Sequence, residues 1–433
     1  MSNTCAVNSV CGWQYPVSTI RDYLKDGELR LLTMDFDFPC KTMCSLRCKY
    51  CFIKTDERES ETREDTQSKK LSVSQLRDVF AQARTLGCRS AKLVGDQEPL
   101  QESEFVNFTE YVSEQLRMWL VVFTNGYVLA FKELCKRIHG CEPSELIQRL
   151  KHLRVSIMLK FHSFNEAIEN ELVGVSDYAA KRHQVLGLLE EAGFNDPPVF
   201  TTDEEKYVMT GARSGHETEG WTRLGLESVI TPLSLQDAER IYRLKGERRL
   251  YVDLDPPVPV GLTRNREWRQ RLNLHVPKEK LLELAIRLYR VNEELGIPFE
   301  GASPYFGGLP CSQLPYGLYV NARGRIYPCC GCPDIETDGR SEYLGNIREP
   351  NALARAIAAN PYRVNYRKNG HAYDKLPFND RHHPGYGIYH GCPYRDRAGD
   401  LMPQNWEVVV DDYTRRGELC EDNICRREVG IRT

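Results

Sequence analysis

Apolar and polar side chains alternate over residues 29–38 until Pro39 closes the run, a period of two that predicts a β-strand. Further on the period lengthens. Over 75–86 the apolar residues Leu76, Val79, Phe80 and Ala83 return every three or four positions. Ser72 or Ser74 is placed to cap that stretch and Gly87 to end it, so it predicts a helix. The two periods then trade places down the chain. Strands are expected over 90–94, 119–123 and 154–159, and helices over 103–117, 128–138, 143–153 and 178–192, the last closed by Gly193. Weaker signals give strands at 228–230 and 250–253, with a helix over 235–244 between them. Strands separated by helices imply right-handed crossovers and a parallel sheet. About six such units place the chain in the α/β class as an open or partial barrel, which periodicity alone does not separate from a doubly wound sheet. In either, reactive groups gather at the carboxyl ends of the strands.

Two stretches interrupt this rhythm. Residues 55–70 are almost wholly charged or polar and read as a surface loop. Residues 255–277 carry Pro256, Pro257 and Pro259, then Arg264, Arg266, Arg269 and Arg271. They read as a solvated connector, or as a basic loop over the mouth of the sheet that meets an anionic part of a substrate. Residues 278–295 predict a long helix, ended by Gly296 and Pro298. At 433 residues the chain exceeds one ordinary core. It divides into an N-terminal extension (1–28), a main α/β unit (29–255), a connector loop and helix (256–305) and a small cysteine-rich α+β unit (306–433).

Charge and composition narrow the function classes. A net charge of −3 gives no general attraction to nucleic acid or to an anionic membrane. No apolar run approaches the length of a spanning helix. The first residues, MSNTCAVNSVCGW, lack the basic start and apolar stretch of an export signal. With 16 cysteines and no such signal, metal ligation in a reducing cytoplasm is expected.

The densest chemistry is the run Cys44-Ser-Leu-Arg-Cys48-Lys-Tyr-Cys51, directly after the first strand. Three thiolates spaced three then two apart on one loop can hold three corners of a 4Fe–4S cube and leave the fourth iron open. Structural zinc usually takes two C-x2-C pairs, and one pair plus an outlier fits it poorly. Disulfides would need an oxidising compartment. With Tyr50 as the aromatic residue before the last cysteine, the run resembles the C-x3-C-x2-C signature of the radical S-adenosylmethionine (SAM) superfamily. The resemblance implies a partial (β/α)6 barrel and a 4Fe–4S cluster on Cys44, Cys48 and Cys51, with SAM chelated at the open iron. It implies reductive cleavage of SAM to a 5′-deoxyadenosyl radical and an electron donor of the flavodoxin or ferredoxin type. Cys40 repeats the three-residue gap, but Arg47 stands where a third cysteine is needed, so Cys40 reads as a buried thiol beside the site.

The second strand runs into Gly95-Asp96-Gln97-Glu98-Pro99-Leu100. This resembles the family's glycine-glycine-glutamate strand end, which binds the methionyl amino group, with Gln97 where the second glycine is usual. The third strand ends in Thr124-Asn125-Gly126, a turn that in the family lies beside the cofactor. The cofactor-binding set implied is therefore Tyr50, Gly95, Asp96, Gln97, Glu98, Thr124, Asn125 and Ser156, Ser156 because polar groups on the fourth strand approach SAM in relatives. Lys160 and His162 sit near the end of that strand, His162 reading as a hydrogen-bonded core or rim residue more than a substrate contact. A plain strand-to-helix turn is the alternative at 95–100.

Downstream, Cys311 and Cys329 flank a predicted hairpin of two alternating strands around 321–324, and residues 343–348 read as a further strand. This resembles the opening of the SPASM and twitch domains, which carry auxiliary 4Fe–4S clusters, although the full SPASM cysteine run is missing. One auxiliary cluster is expected, on Cys311, Cys329, Cys332 and Cys392. A second on Cys420 and Cys425, or a zinc site, are the alternatives. Cys88, Cys135 and Cys141 read as core thiols.

The substrate is less legible. SPASM and twitch relatives act on peptides, on enzymes awaiting activation, and on sugars or aminocyclitols. Only about forty residues precede Cys44, too few for the leader-binding domain common in peptide-modifying members. The expectation is a small polyhydroxylated substrate that is oxidised, epimerised or undergoes elimination, with a ribosomal peptide or protein side chain as the alternative. Acidic and aromatic residues over 201–222 (Glu204, Glu205, Tyr207, Glu217, Trp221) suit an amino sugar or an ordinary surface loop. A non-catalytic electron-transfer or scaffold protein would also use the cysteines, but would leave residues 95–98 and 124–126 without a purpose.

Overall fold

The computed structural model describes residues 6–13, 15–24, 30–51, 70–211, 218–257, 261–264, 266–297, 316–330, 343–361 and 363–364. Eleven strands occur among them: β1 (Ser9–Val10), β2 (Thr33–Asp37), β3 (Ser90–Gly95), β4 (Trp119–Thr124), β5 (Val155–Lys160), β6 (Trp221–Thr222), β7 (Leu224–Val229), β8 (Tyr251–Asp255), β9 (Gly317–Val320), β10 (Arg325–Tyr327) and β11 (Gly345–Asn346). Nine form one mixed sheet in the order β11-β10-β9-β2-β3-β4-β5-β7-β8. From β9 to β8 every neighbouring pair is parallel, and only the β9-β10 and β10-β11 pairs are antiparallel.

Each parallel strand shows one face to a helical layer. Met34, Phe36, Ala91, Leu93, Leu120, Val122, Ile157, Leu159, Leu224, Leu226, Val252 and Leu254 share one buried cluster with the helices' apolar faces. Helix Val73–Thr85 shows how that layer is built. Ser72 accepts from Gln75 N–H, the Gln75 side chain returns the bond, and Leu76, Val79, Phe80 and Ala83 are buried. The alternate residues, Asp35, Lys92, Lys160, Glu227, Asp253 and Asp255, carry charge on the other face. The sheet curls that face inward, so Asp253 on β8 feels the charge of Lys92 on β3.

Residues 6–13 pack against the amino-terminal side of this inner face. β1 pairs in parallel with β6, and Val7 and Val10 pack with Val121, Met158 and Tyr251. The Trp13 ring lies 5.0 Å from Phe123 and 6.3 Å from Tyr251, with Lys92 Nζ 5.2 Å from its centre. Gly12 has φ +83°, and a Cβ there would come within 3.0 Å of Trp119 Cβ, so no other residue fits this turn without strain.

Several elements depart from the sequence expectation. β7 lies at Leu224–Val229 rather than 228–230, because Gly225 breaks the apolar pattern where Met158 fills the space a Cβ would take. The helix expected over 128–138 is two, Tyr127–Ala130 and Lys132–His139, joined by an extended Phe131. The helix expected over 103–117 gives way at Tyr111–Gln115 to a π-turn. Helix Lys278–Leu295 and the hairpin around 321–324 fall where the pattern put them. That hairpin continues the main sheet beyond β2: Tyr319 Oη donates to Asp37 Oδ2 at 2.7 Å.

Candidate metal centre

The cysteine loop leaves the carboxyl end of β2 and is fastened by the segment that follows β3. Gln97 Oε1 accepts the Cys44 N–H at 2.7 Å, Gln101 Oε1 accepts from Ser45 at 3.2 Å, and Glu102 Oε1 accepts from Lys41 at 2.7 Å and from Thr42 at 2.5 Å. The residue that replaces the usual glycine is thus a cap on the first cysteine. Bonds to a buried amide are worth about 1 kcal/mol each, and those to a carboxylate roughly twice that. On its other side the loop docks against the end of helix Glu166–Val173, with Arg47 N–H on the Val173 carbonyl at 2.8 Å and Lys49 N–H on Leu172 at 3.1 Å. Gly174 leaves room for this, since a Cβ there would sit 3.0 Å from the Arg47 carbonyl oxygen.

Leu262, Trp268, Leu272 and Leu274 cover the loop. Leu262 N–H reaches the Cys51 carbonyl at 3.1 Å, and Trp268 Nε1–H reaches the Lys49 carbonyl at 3.1 Å. Leu274 is buried with Leu46, Cys48 and Tyr50, and Trp268 and Leu272 pack against them. The connector is therefore neither purely solvated nor free of the site. Of its arginines, Arg269 is buried and donates to Thr263, and Arg271 stacks 4.7 Å over Trp268.

Glu98 is the pivot beneath the loop. It is buried and accepts from Thr124 Oγ1 at 2.6 Å, Asn125 N–H at 2.8 Å and Leu100 N–H at 3.2 Å. Burial pushes its carboxyl above the usual range, and these three bonds pull the other way. Thr124 and Asn125 are thereby locked, and Asn125 Nδ2 points at Cys44 Sγ from 3.6 Å. The turn needs Gly126, whose φ is +71° and whose Cβ position lies 2.7 Å from Leu159 Cδ1. Asp96 also has positive φ (84°) and is held by Lys70 Nζ at 2.6 Å. Gly95, Asp96, Gln97, Glu98, Thr124, Asn125 and Tyr50 are thus brought to the side of the cysteine loop.

Ser156 is not. It sits near the start of β5, is fully buried, and donates to the Cys11 carbonyl at 2.8 Å under the N-terminal segment. The polar residue at the carboxyl end of β5 is Lys160. Its Nζ lies 3.1 Å from Glu227 and 5.4 Å from the centre of the Tyr50 ring. Burial opposes the Lys160 charge, but Glu227 and Cys48 outweigh it and hold its pKa up. Counting residues to the last polar position of an apolar strand would have singled out Lys160 over Ser156. His162 is fully buried, and burial, then Lys160 and Arg182, hold its imidazole neutral. Glu169 receives the backbone N–H groups of His162 and Ser163 at 2.8 and 2.7 Å and lies 3.6 Å from buried Arg182.

The donor set fits an iron–sulfur cluster. Cys48 is buried in one cluster of side chains, Cys44 and Cys51 pack against it, and Cys44 feels the charge of both. Yet among the described residues no three His, Cys, Asp or Glu side chains converge to grip a single ion. A cubane puts each thiolate on its own iron, so its ligands need not meet at one point. Burial raises the Cys44 thiol to about 12 and Cys48 to about 11, so their ionisation calls for a metal's positive charge. Cys40 lies in the helix-facing core instead.

The remaining expectations separate. Cys311, Cys332, Cys392, Cys420 and Cys425 lie outside the described residues. Cys329 is buried just past Tyr327, which is level with Tyr319 and through it with Asp35. Because β10 runs antiparallel to β2, Cys329 and Cys330 lie toward the amino ends of the parallel strands, and the hairpin's turn is what reaches the cysteine-loop side, where Leu71 N–H meets the Ala322 carbonyl at 2.7 Å. The acidic residues over 201–222 belong to the amino side too. Glu205 binds Trp119 Nε1 at 2.8 Å and Arg154 Nε at 2.7 Å, and Glu204 pairs with Arg89 at 2.7 Å, so both are structural there. Glu217 lies outside the described residues.

Residues 39–204 match the family model of the radical SAM superfamily. Among solved structures, methylornithine synthase is 11% identical, with 63% of this chain covering 66% of that one at a TM-score of 0.32. A truncated 3-deoxy-D-arabino-heptulosonate 7-phosphate synthase from Thermotoga maritima is 10% identical, with 79% of this chain covering 88% of that one at a TM-score of 0.24. Similarity at that level carries no argument about activity. No curated protein matches the chain. No helix among the described residues is long and apolar enough to cross a membrane.

Proposed function

Taking as premise that residues 39–204 are a radical SAM domain, we propose that the protein is an enzyme cleaving SAM at a 4Fe–4S cluster on Cys44, Cys48 and Cys51. When bound, the cluster supplies the electron that turns SAM into methionine and a 5′-deoxyadenosyl radical able to take hydrogen from an unactivated carbon. The observation that carries this reading is the clamping of the cysteine loop by Gln97, Gln101, Glu102 and Asn125 at the carboxyl end of a parallel sheet. The first six parallel strands are read as a partial barrel with the substrate inside it.

The substrate we propose is small and polyhydroxylated, of the sugar or aminocyclitol kind. Support comes from the inner face. It carries Asp35 and Lys92, 3.2 Å apart, and Lys160 with Glu227. Among the described residues, buried Asp253 Oδ1 and Tyr251 Oη have no hydrogen-bond partner. Unsatisfied buried oxygens cost about 1–3 kcal/mol each and suit a ligand rich in hydroxyl or amino groups. An auxiliary cluster that includes Cys329 and an electron donor of the flavodoxin or ferredoxin type belong to the same proposal.

Anaerobically reconstituted protein with dithionite and SAM should release 5′-deoxyadenosine, and a Cys44→Ala, Cys48→Ala, Cys51→Ala protein should not. No nucleoside from a fully loaded, reducible protein, with candidate substrates present, would turn the reading to an electron-transfer scaffold. Deuterated sugars and aminocyclitols should pass label into the nucleoside; label arriving from peptides would move the substrate to that class.

A further inference from the structure

We infer that His162 is a positioning residue for the cluster, aiming the Tyr50 hydroxyl hydrogen at Cys48 and so making the cluster easier to reduce. The inference rests on the reading of Cys48 as a cluster ligand. It starts from hydrogen-bond directions. Val229 N–H donates to His162 Nδ1 at 2.9 Å, so that nitrogen carries no proton. In a neutral ring the proton is then on Nε2, which meets the Tyr50 oxygen. Tyr50 accepts from His162, and its own hydrogen is left for a second acceptor. Cys48, buried with Tyr50 in the same cluster of side chains, is the acceptor this assigns.

The arrangement is stiff. Tyr50 and His162 are buried, their rings cross nearly edge-on (75°, 5.0 Å), and the His162 backbone is held by Glu169. A hydrogen bond to a ligand sulfur stabilises the electron-rich state of an iron–sulfur cluster more than the oxidised one, and so raises its potential. Cys44 receives the Leu46 N–H at 3.4 Å and the Asn125 amide. The bond assigned to Cys48 differs in depending on one removable oxygen.

The test is an EPR-monitored redox titration of anaerobically reconstituted full-length protein, with iron and sulfide measured in parallel. Tyr50→Phe should carry as much iron as wild type and show a more negative midpoint potential. His162→Leu, which keeps the tyrosine but releases it, should shift the same way by a smaller amount. His162→Gln, whose amide can still donate to Tyr50, should return toward wild type. A loaded Tyr50→Phe cluster at the wild-type potential would overturn the inference, as would variants that lose iron altogether, which would assign the contact to cluster assembly. A wild-type protein that binds no cluster would instead defeat the proposed function itself.

Discussion

Gln97 stands where the motif that residues 95–100 resemble usually has glycine, and its side chain does what a glycine cannot: it accepts the Cys44 N–H. Removing it leaves a half-buried donor without that acceptor, a loss of about 1 kcal/mol or roughly fivefold in an equilibrium. Gln97→Ala should therefore release iron to a chelator about fivefold faster than wild type, and Gln97→Glu should stay close to wild type; equal rates in all three would deny the capping role. At this scale the sequence was informative where chemistry is carried by spacing. Cys44, Cys48, Cys51, Glu98 and Asn125 meet because a loop and two strand ends place them. Ser156 was misplaced because residue type alone does not say which end of a strand a position occupies. His162 could be read as buried, but its bond to Tyr50 joins residues 112 apart in the chain and leaves no trace in a local pattern.

At the scale of elements, the helix Ala238–Glu247 buries Lys245 completely. Its Nζ lies 3.3 Å from Tyr242 Oη, and Asp253 is the acidic group whose charge it feels. Burial lowers its pKa from 10.5 to about 7, outweighing Asp253. Between those values the unfolded chain binds the extra proton, so stability must rise with pH across the window. Urea midpoints measured from pH 7 to pH 9.5 should climb more for wild type than for Lys245→Met, and parallel curves would refute the depressed lysine. Elements themselves were legible where apolar periodicity was clean, as in helix Val73–Thr85 and strands β3 to β5. They were missed where packing overrode pattern. Helix Asp203–Thr210 reads as polar loop in sequence, yet Thr202 caps it and Glu205 ties it to Trp119 and Arg154.

For the whole molecule, the parallel order was expected from alternating strands and helices, but the packing of residues 6–13 was not. The segment contributes only the two-residue strand β1, and its value lies in contacts with residues more than a hundred positions away. Trp13→Ala should lower the unfolding free energy by about 2–3 kcal/mol, as for other large aromatic truncations at partly buried sites. Denaturant midpoints would show it, and an unchanged midpoint would mean that the segment only rests on the sheet. With Val7, Val10 and Trp13 beneath it, the inner face is blocked on that side by the described residues. On the proposed function, substrate and SAM would share the approach past the cysteine loop, opposite these residues. Two guests in such a space queue: the deeper one arrives first and departs last. An excess of the outer guest would then imprison the inner one, and turnover would slow as its concentration climbs.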